Sequence, residues 1–342
     1  MKSAITDIPI NEFPALVKEL GMPKYAAQQL IAWIYQKRVD SFDQMSNLSQ
    51  AAREQLSERY VLDNLELSAT QISLDGTKKF LLRCHDGKEI ECVLIPAASG
   101  RRTVCVSSQV GCALACDFCR TGKMGLSRHL TQGEIVSQLR FAMRESDLPV
   151  SNVVFMGMGE PMHNLDNVVN AANLMCNPQA FGLSKRKITV STSGLLDKLA
   201  EFITRCDVKI AFSLSATTDA QRDILMPINK RYPLAKIMEF FRDYTKTTNN
   251  RITFEYIMIK GVNDSTEDAK RLVKLVQGVS CKINLIPMNA YQEAGYYPSK
   301  NEHINWWCDY LESKGVCATV RISRGQDILA ACGQLARGEL KI

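Results

Sequence analysis

Residues 103–157 read TVCVSSQVGCALACDFCRTGKMGLSRHLTQGEIVSQLRFAMRESDLPVSNVVFMG. The stretch opens on TVCVSS, a short run rich in β-branched residues, and closes on a second such run, SNVVFMG. Between them, LTQGEIVSQLRFAMRE repeats its apolar residues at the three- and four-residue spacing of a helix. Strand, helix and strand in that order make one βα unit, and strands joined in this way run parallel. Further toward the C-terminus, RKITVSTS, VKIAFSLS, ITFEYIMI, KINLIPM and ATVRIS extend the alternation almost to the end of the chain. The predicted class is α/β, with a mostly parallel sheet either doubly wound or curled into a barrel. In both arrangements the chemistry belongs at the C-terminal ends of the strands.

Toward the N-terminus the pattern changes twice. QISLDGTKKFLLRCHDGKEIECVLIP alternates with period two, and Asp75-Gly76 and Asp86-Gly87 mark tight turns, so antiparallel strands are predicted over 66–97. Residues 1–65 read as helical. Leu30, Ile31, Trp33, Ile34 and Tyr35 give one helix a broad apolar face, flanked by Lys18, Lys24, Lys37 and Arg38.

At 342 residues, 46% hydrophobic and 23% charged, the chain has the composition of a folded protein, which excludes disordered, collagen-like and coiled-coil classes. No apolar run approaches the roughly 18 residues of a spanning helix, so no membrane partner is expected. The N-terminal MKSAITDIPINEFPALVKEL has no basic-then-apolar signal, and the expected location is the cytoplasm. A net charge of +6 permits an anionic partner such as RNA without requiring one. Twelve cysteines, in a chain of a size that needs no disulfide framework, point to metal or thiol chemistry.

Three of them, Cys112, Cys116 and Cys119, stand in a C-x3-C-x2-C array just after the first strand of the βα series. Three thiolates on one short loop suit three irons of a [4Fe–4S] cube and leave the fourth iron open. A structural zinc site is the competing reading, but it calls for four ligands in C-x2-C pairs, and no second pair occurs. Three structural core cysteines are the plainest alternative; thiols this dense on a polar, Gly-flanked loop make poor core material. An open iron suits the amino and carboxylate groups of S-adenosylmethionine (SAM), whose cleavage yields a 5′-deoxyadenosyl radical.

C-x3-C-x2-C with an aromatic residue before the last cysteine resembles the radical-SAM signature. Together with GMGEP, LSKRKITVSTSG, PINKRYPL, KINLIPMN and AACGQL, in that order, it resembles the RlmN/Cfr family of RNA adenine methyltransferases, and the RlmN branch most. The likeness runs from the N-terminal helices to Gln334. It implies a partial (β/α) radical-SAM barrel over 98–342, a helical RNA-binding accessory domain over 1–65 and an antiparallel β extension over 66–97. The implied activity is methylation of C2 of adenine 2503 in 23S rRNA and of adenine 37 in tRNA. The implied cofactors are a [4Fe–4S] cluster and SAM, two SAM per turnover. An electron donor such as flavodoxin or ferredoxin would feed the cluster, and the chain would act as a monomer.

The resemblance also assigns residues. Gly159 and Glu160 would meet the amino group of SAM, although a short Gly motif on its own reads as a strand-to-helix turn. Ser191, Ser213, Leu214, Ser215 and Asn289, at the ends of later strands, would complete the SAM site; small polar residues there otherwise serve as helix caps. Many relatives carry His where this chain has Ser215, so that contact would pass through the backbone or a water. Cys332 would carry a methyl group and Cys105 would resolve a covalent RNA adduct through a transient Cys105–Cys332 disulfide; alone, each looks like a small buried hydrophobe. The logic is chemical: C2 of adenine is electron-poor and accepts a carbon radical more readily than it attacks SAM. Glu91 would be the general base, and otherwise reads as an exposed strand carboxylate.

Arg101, Arg102, Lys185, Arg186, Lys187, Lys230 and Arg231 form basic clusters suited either to phosphate contacts or to solvated loops. Two rival functions stand beside the first. One is C8 methylation, as in the Cfr branch, which keeps the same five cysteines. The other is a non-catalytic iron–sulfur RNA-binding or sensor protein, which leaves Cys105 and Cys332 without a task.

Overall fold

A computed structural model describes residues 2–291 and 294–336. Its centre is a ten-stranded sheet: β1 (Leu65–Ile72), β2 (Lys78–Cys84), β3 (Glu89–Pro96), β4 (Arg102–Cys105), β5 (Val150–Phe155), β6 (Ile188–Thr192), β7 (Lys209–Ser213), β8 (Ile252–Met258), β9 (Cys281–Pro287) and β10 (Ala318–Val320). The strands lie in the sheet in the order of the chain, each hydrogen-bonded to the next. β1 to β4 pair antiparallel; β4 to β10 pair parallel. The direction changes at β4, where Cys105 sits opposite Val93 on one side and Val154 on the other.

Of the two expectations for the parallel part, the strand order selects the barrel. A doubly wound sheet reverses its order at a switch point, and this one never reverses. The curl is visible in one contact: Arg321, just after β10, brings Nη1 to 3.5 Å from Sδ of Met156, just after β5. Five strand steps in a flat sheet would separate them by about 24 Å, beyond the reach of two side chains. Outside the sheet, helices pack through their apolar faces. Phe241, on the helix Leu234–Thr248, meets Phe212 and Phe254 edge-on at centroid distances of 5.0 and 5.5 Å. Each such ring pair adds about 1 kcal/mol beyond its burial.

The N-terminal residues form helices at Phe13–Glu19, Ala26–Ile31 and Gln50–Arg59. The second continues as a wide π turn over Ala32–Lys37 and stops at Arg38 in the left-handed conformation, so the single helix expected there is two pieces. The N-terminal turn Ile5–Asp7 packs on Gln132–Arg144, a helix started by a Thr131–Glu134 capping box. Arg140, fully buried, donates to both carboxylate oxygens of Asp63 and to the Val39 carbonyl. Asp7 accepts from the Gly133 amide at 2.8 Å. Among the described residues no helix is long and apolar enough to cross a membrane.

Two small elements were not foreseen, and one is a parallel pair of Ser3–Ala4 with Tyr60–Val61 inside the region read as helical. Gln109–Cys112 and Gly125–His129, read above as loop, pair as a small antiparallel hairpin off the main sheet. The three-cysteine loop is its tip.

Candidate active site at the strand ends

The hairpin hangs the cysteine loop over the C-terminal ends of the parallel strands. Cys112, Cys116 and Cys119 line one open cavity at these strand ends. Its lining includes Met156, Ser191, Ser213, Ile257, Ile286 and Arg321, residues at or near the ends of six different strands, and Glu255 from the middle of β8. Leu225 accepts from the Asp117 amide at 3.0 Å and so ties the loop tip to the helix Asp219–Leu225. The three cysteines form no disulfide. Burial is the largest influence on each thiol and pushes it up, Cys112 to about 12, so without a metal they are protonated.

Among the described residues no three ligand side chains meet at a point fit for a single ion. A cube asks each cysteine to serve a different iron, and all three line this one cavity. The surroundings supply positive charge as well. Arg222, fully buried, donates to the carbonyls of Ser193, Ser213 and Leu214, and Cys116 lies within its electrostatic reach. Burial brings this guanidinium down to about 10, with Cys116 acting in the opposite sense.

Gly157 and Gly159 explain why the turn after β5 is built of glycine. A Cβ on Gly157 would lie 2.8 Å from the Val106 carbonyl oxygen, and one on Gly159, at φ +103°, would lie 2.6 Å from Gln109 Cβ. Glu160 follows. Its carboxylate accepts from the Met162 and Ser193 amides at 3.0 and 2.9 Å, and burial, opposed by these bonds, keeps its pKa above the ordinary value. It lines the same cavity.

Of the other expected SAM contacts, Ser191, Ser213 and Ser215 line the cavity. Ser215 is buried in a left-handed conformation at φ 49°; its carbonyl accepts from Asn263 Nδ2 at 2.7 Å. Leu214 is buried away from the lining, its amide given to the Glu255 carbonyl. Asn289 is also off the lining. It donates to the Cys332 carbonyl at 2.9 Å and accepts from Gln326 at 2.8 Å, so it holds the C-terminal loop.

Cys332 lies on the wall of this cavity and also on that of a second one, where it is joined by Cys105. Arg321 and Met156 line both cavities and so stand between them. Arg321 lies 3.7 Å from the Glu255 carboxylate, which Asn284 holds at 3.0 Å. Burial raises the Cys105 thiol to about 12, Cys332 adding to the rise and Arg321 opposing it. Glu91, expected to be an exposed strand carboxylate but for the resemblance, is buried: Oε1 lies 3.0 Å from Lys79 Nζ and Oε2 accepts from the Ala336 amide at 2.8 Å. Burial raises its pKa against the pull of Lys79.

Four participants escaped the sequence reading: Lys79, Arg222, Glu255 and Arg321. Glu255 and Arg321 carried a signal, each a lone charge inside an apolar strand run, ITFEYIMI and ATVRIS. Lys79 and Arg222 carried none.

Comparison with known proteins agrees with this geometry. Residues 106–273 match the radical SAM superfamily, and residues 4–62 match the ribosomal RNA large subunit methyltransferase N-terminal domain. The dual-specificity RNA methyltransferase RlmN of Syntrophotalea carbinolica is 46% identical over 99% of this chain and 90% of its own length. That of Geotalea uraniireducens is 44% identical over 98% and 96%. The chain belongs to the RlmN family of radical-SAM RNA methyltransferases. A crystal structure of a radical SAM methyltransferase from Sphaerobacter thermophilus superposes with a TM-score of 0.94 at 40% identity, over 97% of this chain and 99% of that one. Membership of the RlmN family makes the chain a SAM-dependent enzyme that uses an iron–sulfur cluster, and the cavity lined by Cys112, Cys116 and Cys119 is where its residues fit one.

Proposed function

We propose that the chain methylates C2 of an adenine in 23S rRNA, and of an adenine in tRNA, in the cytoplasm, as a monomer fed by a small electron-transfer protein such as a flavodoxin or ferredoxin. The observation that carries this reading is the position of Cys332 on two cavities at once, one lined by the three-cysteine loop and one shared with Cys105. An iron–sulfur RNA-binding protein without catalysis has no use for that arrangement. The names of the RlmN relatives favour two RNA substrates and the C2 branch over C8.

Cys112, Cys116 and Cys119 would hold a [4Fe–4S] cluster, with SAM between Glu160 and the serines of the strand ends. When bound, these groups supply the methyl group and the radical that starts the carbon chemistry. The chain's own residues do the rest. Cys332 sulfur would carry the methyl group and then tether the base through that carbon. The Glu91 carboxylate would take the proton from the ring carbon, and the unpaired electron left by the radical addition would leave to the one-electron carrier that feeds the site. Cys105 sulfur would attack Cys332 sulfur; the S–S bond forms, the S–C bond breaks, and its electron pair stays with the carbon, which gains a proton to become methyl. Residues 1–65 would bind RNA, residues 66–97 would present Glu91, and residues 98–342 would form the catalytic barrel.

The test is anaerobic reconstitution with iron, sulfide, SAM and dithionite, followed by nucleoside analysis of unmodified 23S rRNA fragment and of tRNA. The expected product is 2-methyladenosine in both. 8-Methyladenosine, or unmodified RNA with intact SAM, would overturn the reading.

A further inference from the structure

Lys79 on β2 and Glu91 on β3 pair across the antiparallel part of the sheet, Nζ to Oε1 3.0 Å, with side chains only 10% and 6% exposed. The register makes them diagonal neighbours: Lys79 is opposite Val93, and Val93 is in turn opposite Cys105. Directly paired residues share a face, so Lys79, Glu91 and Cys105 point to the same side of the sheet. On that side runs the segment that carries Cys332. Each member of the ion pair grips one end of it: Lys79 Nζ donates to the Leu329 carbonyl at 3.4 Å, and the Ala336 amide donates to Glu91 Oε2 at 2.8 Å.

Between these ends the segment is held by neutral groups. Asn289 Nδ2 donates to the Cys332 carbonyl at 2.9 Å, the Arg120 amide to Gly333 at 2.8 Å, and Thr121 Oγ1 to Leu335 at 2.6 Å. A single proton on Glu91 would leave all three unchanged. It would weaken both ends, because the carboxylic acid is a poorer acceptor for the Ala336 amide and gives Lys79 no counter-charge.

We propose that the Lys79–Glu91 pair is a latch on the Cys332 loop, closed while Glu91 is ionised and open when Glu91 carries a proton, with Lys79 as the positioning residue. Its timing rests on Glu91 being the base. The ring C–H then gives its proton to the Glu91 carboxylate and its bonding pair to the ring, so the loop is released only after the base has acted, when Cys332 sulfur must become accessible to Cys105. The charged groups acting on Glu91 are Lys79 from β2 and Arg120 from the end of the cysteine loop.

The test uses the full, anaerobically reconstituted protein without SAM or RNA. Amide hydrogen exchange at 329–336 and iodoacetamide labelling of Cys332 are compared in wild type, Lys79→Met, Glu91→Gln and Lys79→Arg. The latch predicts that the first two variants raise both rates about tenfold or more, that Lys79→Arg stays near wild type, and that exchange in the helix Gln132–Arg144 does not change. The ratio of Glu91→Gln to wild-type exchange should also fall toward one as the pH is lowered and the wild-type carboxylate gains its proton. Rates in Glu91→Gln within about twofold of wild type would overturn the proposal, and the near-isosteric Gln keeps the test open should Lys79→Met fail to fold. Turnover of the RNA adduct separates the two readings. A freed loop with normal turnover in Glu91→Gln removes the base and keeps the latch; a firm loop with stalled turnover removes the latch and keeps the base.

Discussion

Cys112, Cys116 and Cys119 are singled out by their spacing, and spacing is what a sequence displays. Burial holds their thiols in the protonated form, and each lines one shared cavity with no neighbouring cysteine on the loop to replace it. Replacing any one of them with alanine should therefore abolish the visible absorbance and the iron content of the reconstituted protein while leaving its far-ultraviolet dichroism unchanged. Four irons per chain in any single variant would remove the cluster from this loop. Other residues were not legible in this way. Glu91 reads as a surface strand carboxylate until Lys79 and the Ala336 amide are seen to bury it. Asn289 stands at a strand end like the serines, yet it holds the Cys332 carbonyl. Both depend on partners from distant parts of the chain, and no local pattern encodes them.

The strands of the parallel sheet are legible because β-branched runs and Gly or Ser punctuation recur, and all seven expected runs contain a strand. The hairpin Gln109–Cys112 with Gly125–His129 was missed because each arm is short and half polar. Arg128 ties it down, bonded to Asp86 in the β2–β3 turn and to Glu134 on the helix Gln132–Arg144, at 2.7 Å each. The N-terminal helices rely on another buried ion pair. Burial alone would raise the Asp63 carboxyl, but the charge and hydrogen bonds of Arg140 outweigh it and hold the pKa below the ordinary value. A depressed folded pKa gives stability that is present above the ordinary aspartate range and is lost as the pH falls through the lowered value. Asp63→Asn leaves Arg140 buried without a counter-charge and should cost about 3 kcal/mol at neutral pH. Urea unfolding would show the loss, and the gap to wild type should narrow in strong acid. An equal stability at neutral pH would mean that the N-terminal helices do not depend on this pair.

At the scale of the whole molecule, ten strands in unbroken chain order carry the argument. Periodicity left a choice between a doubly wound sheet and a curled one, because βα units look alike in both, and only the family resemblance pointed to the barrel. The order and the Arg321–Met156 contact decide for curling, and curling turns six strand ends into one cavity. The change of direction at β4 then places Cys105 at the seam between the antiparallel and parallel parts, sharing the second cavity with Cys332. In the proposed reaction these two thiols work in sequence on one tethered base. The most direct measurement is the mass of Cys105→Ala purified from cells under denaturing conditions. With nothing to attack the Cys332 sulfur, this variant should carry RNase-sensitive RNA bound covalently to the Cys332 peptide, and the Cys105→Ala/Cys332→Ala double variant should carry none. Cys105→Ala free of RNA, or RNA attached equally to the double variant, would contradict the account.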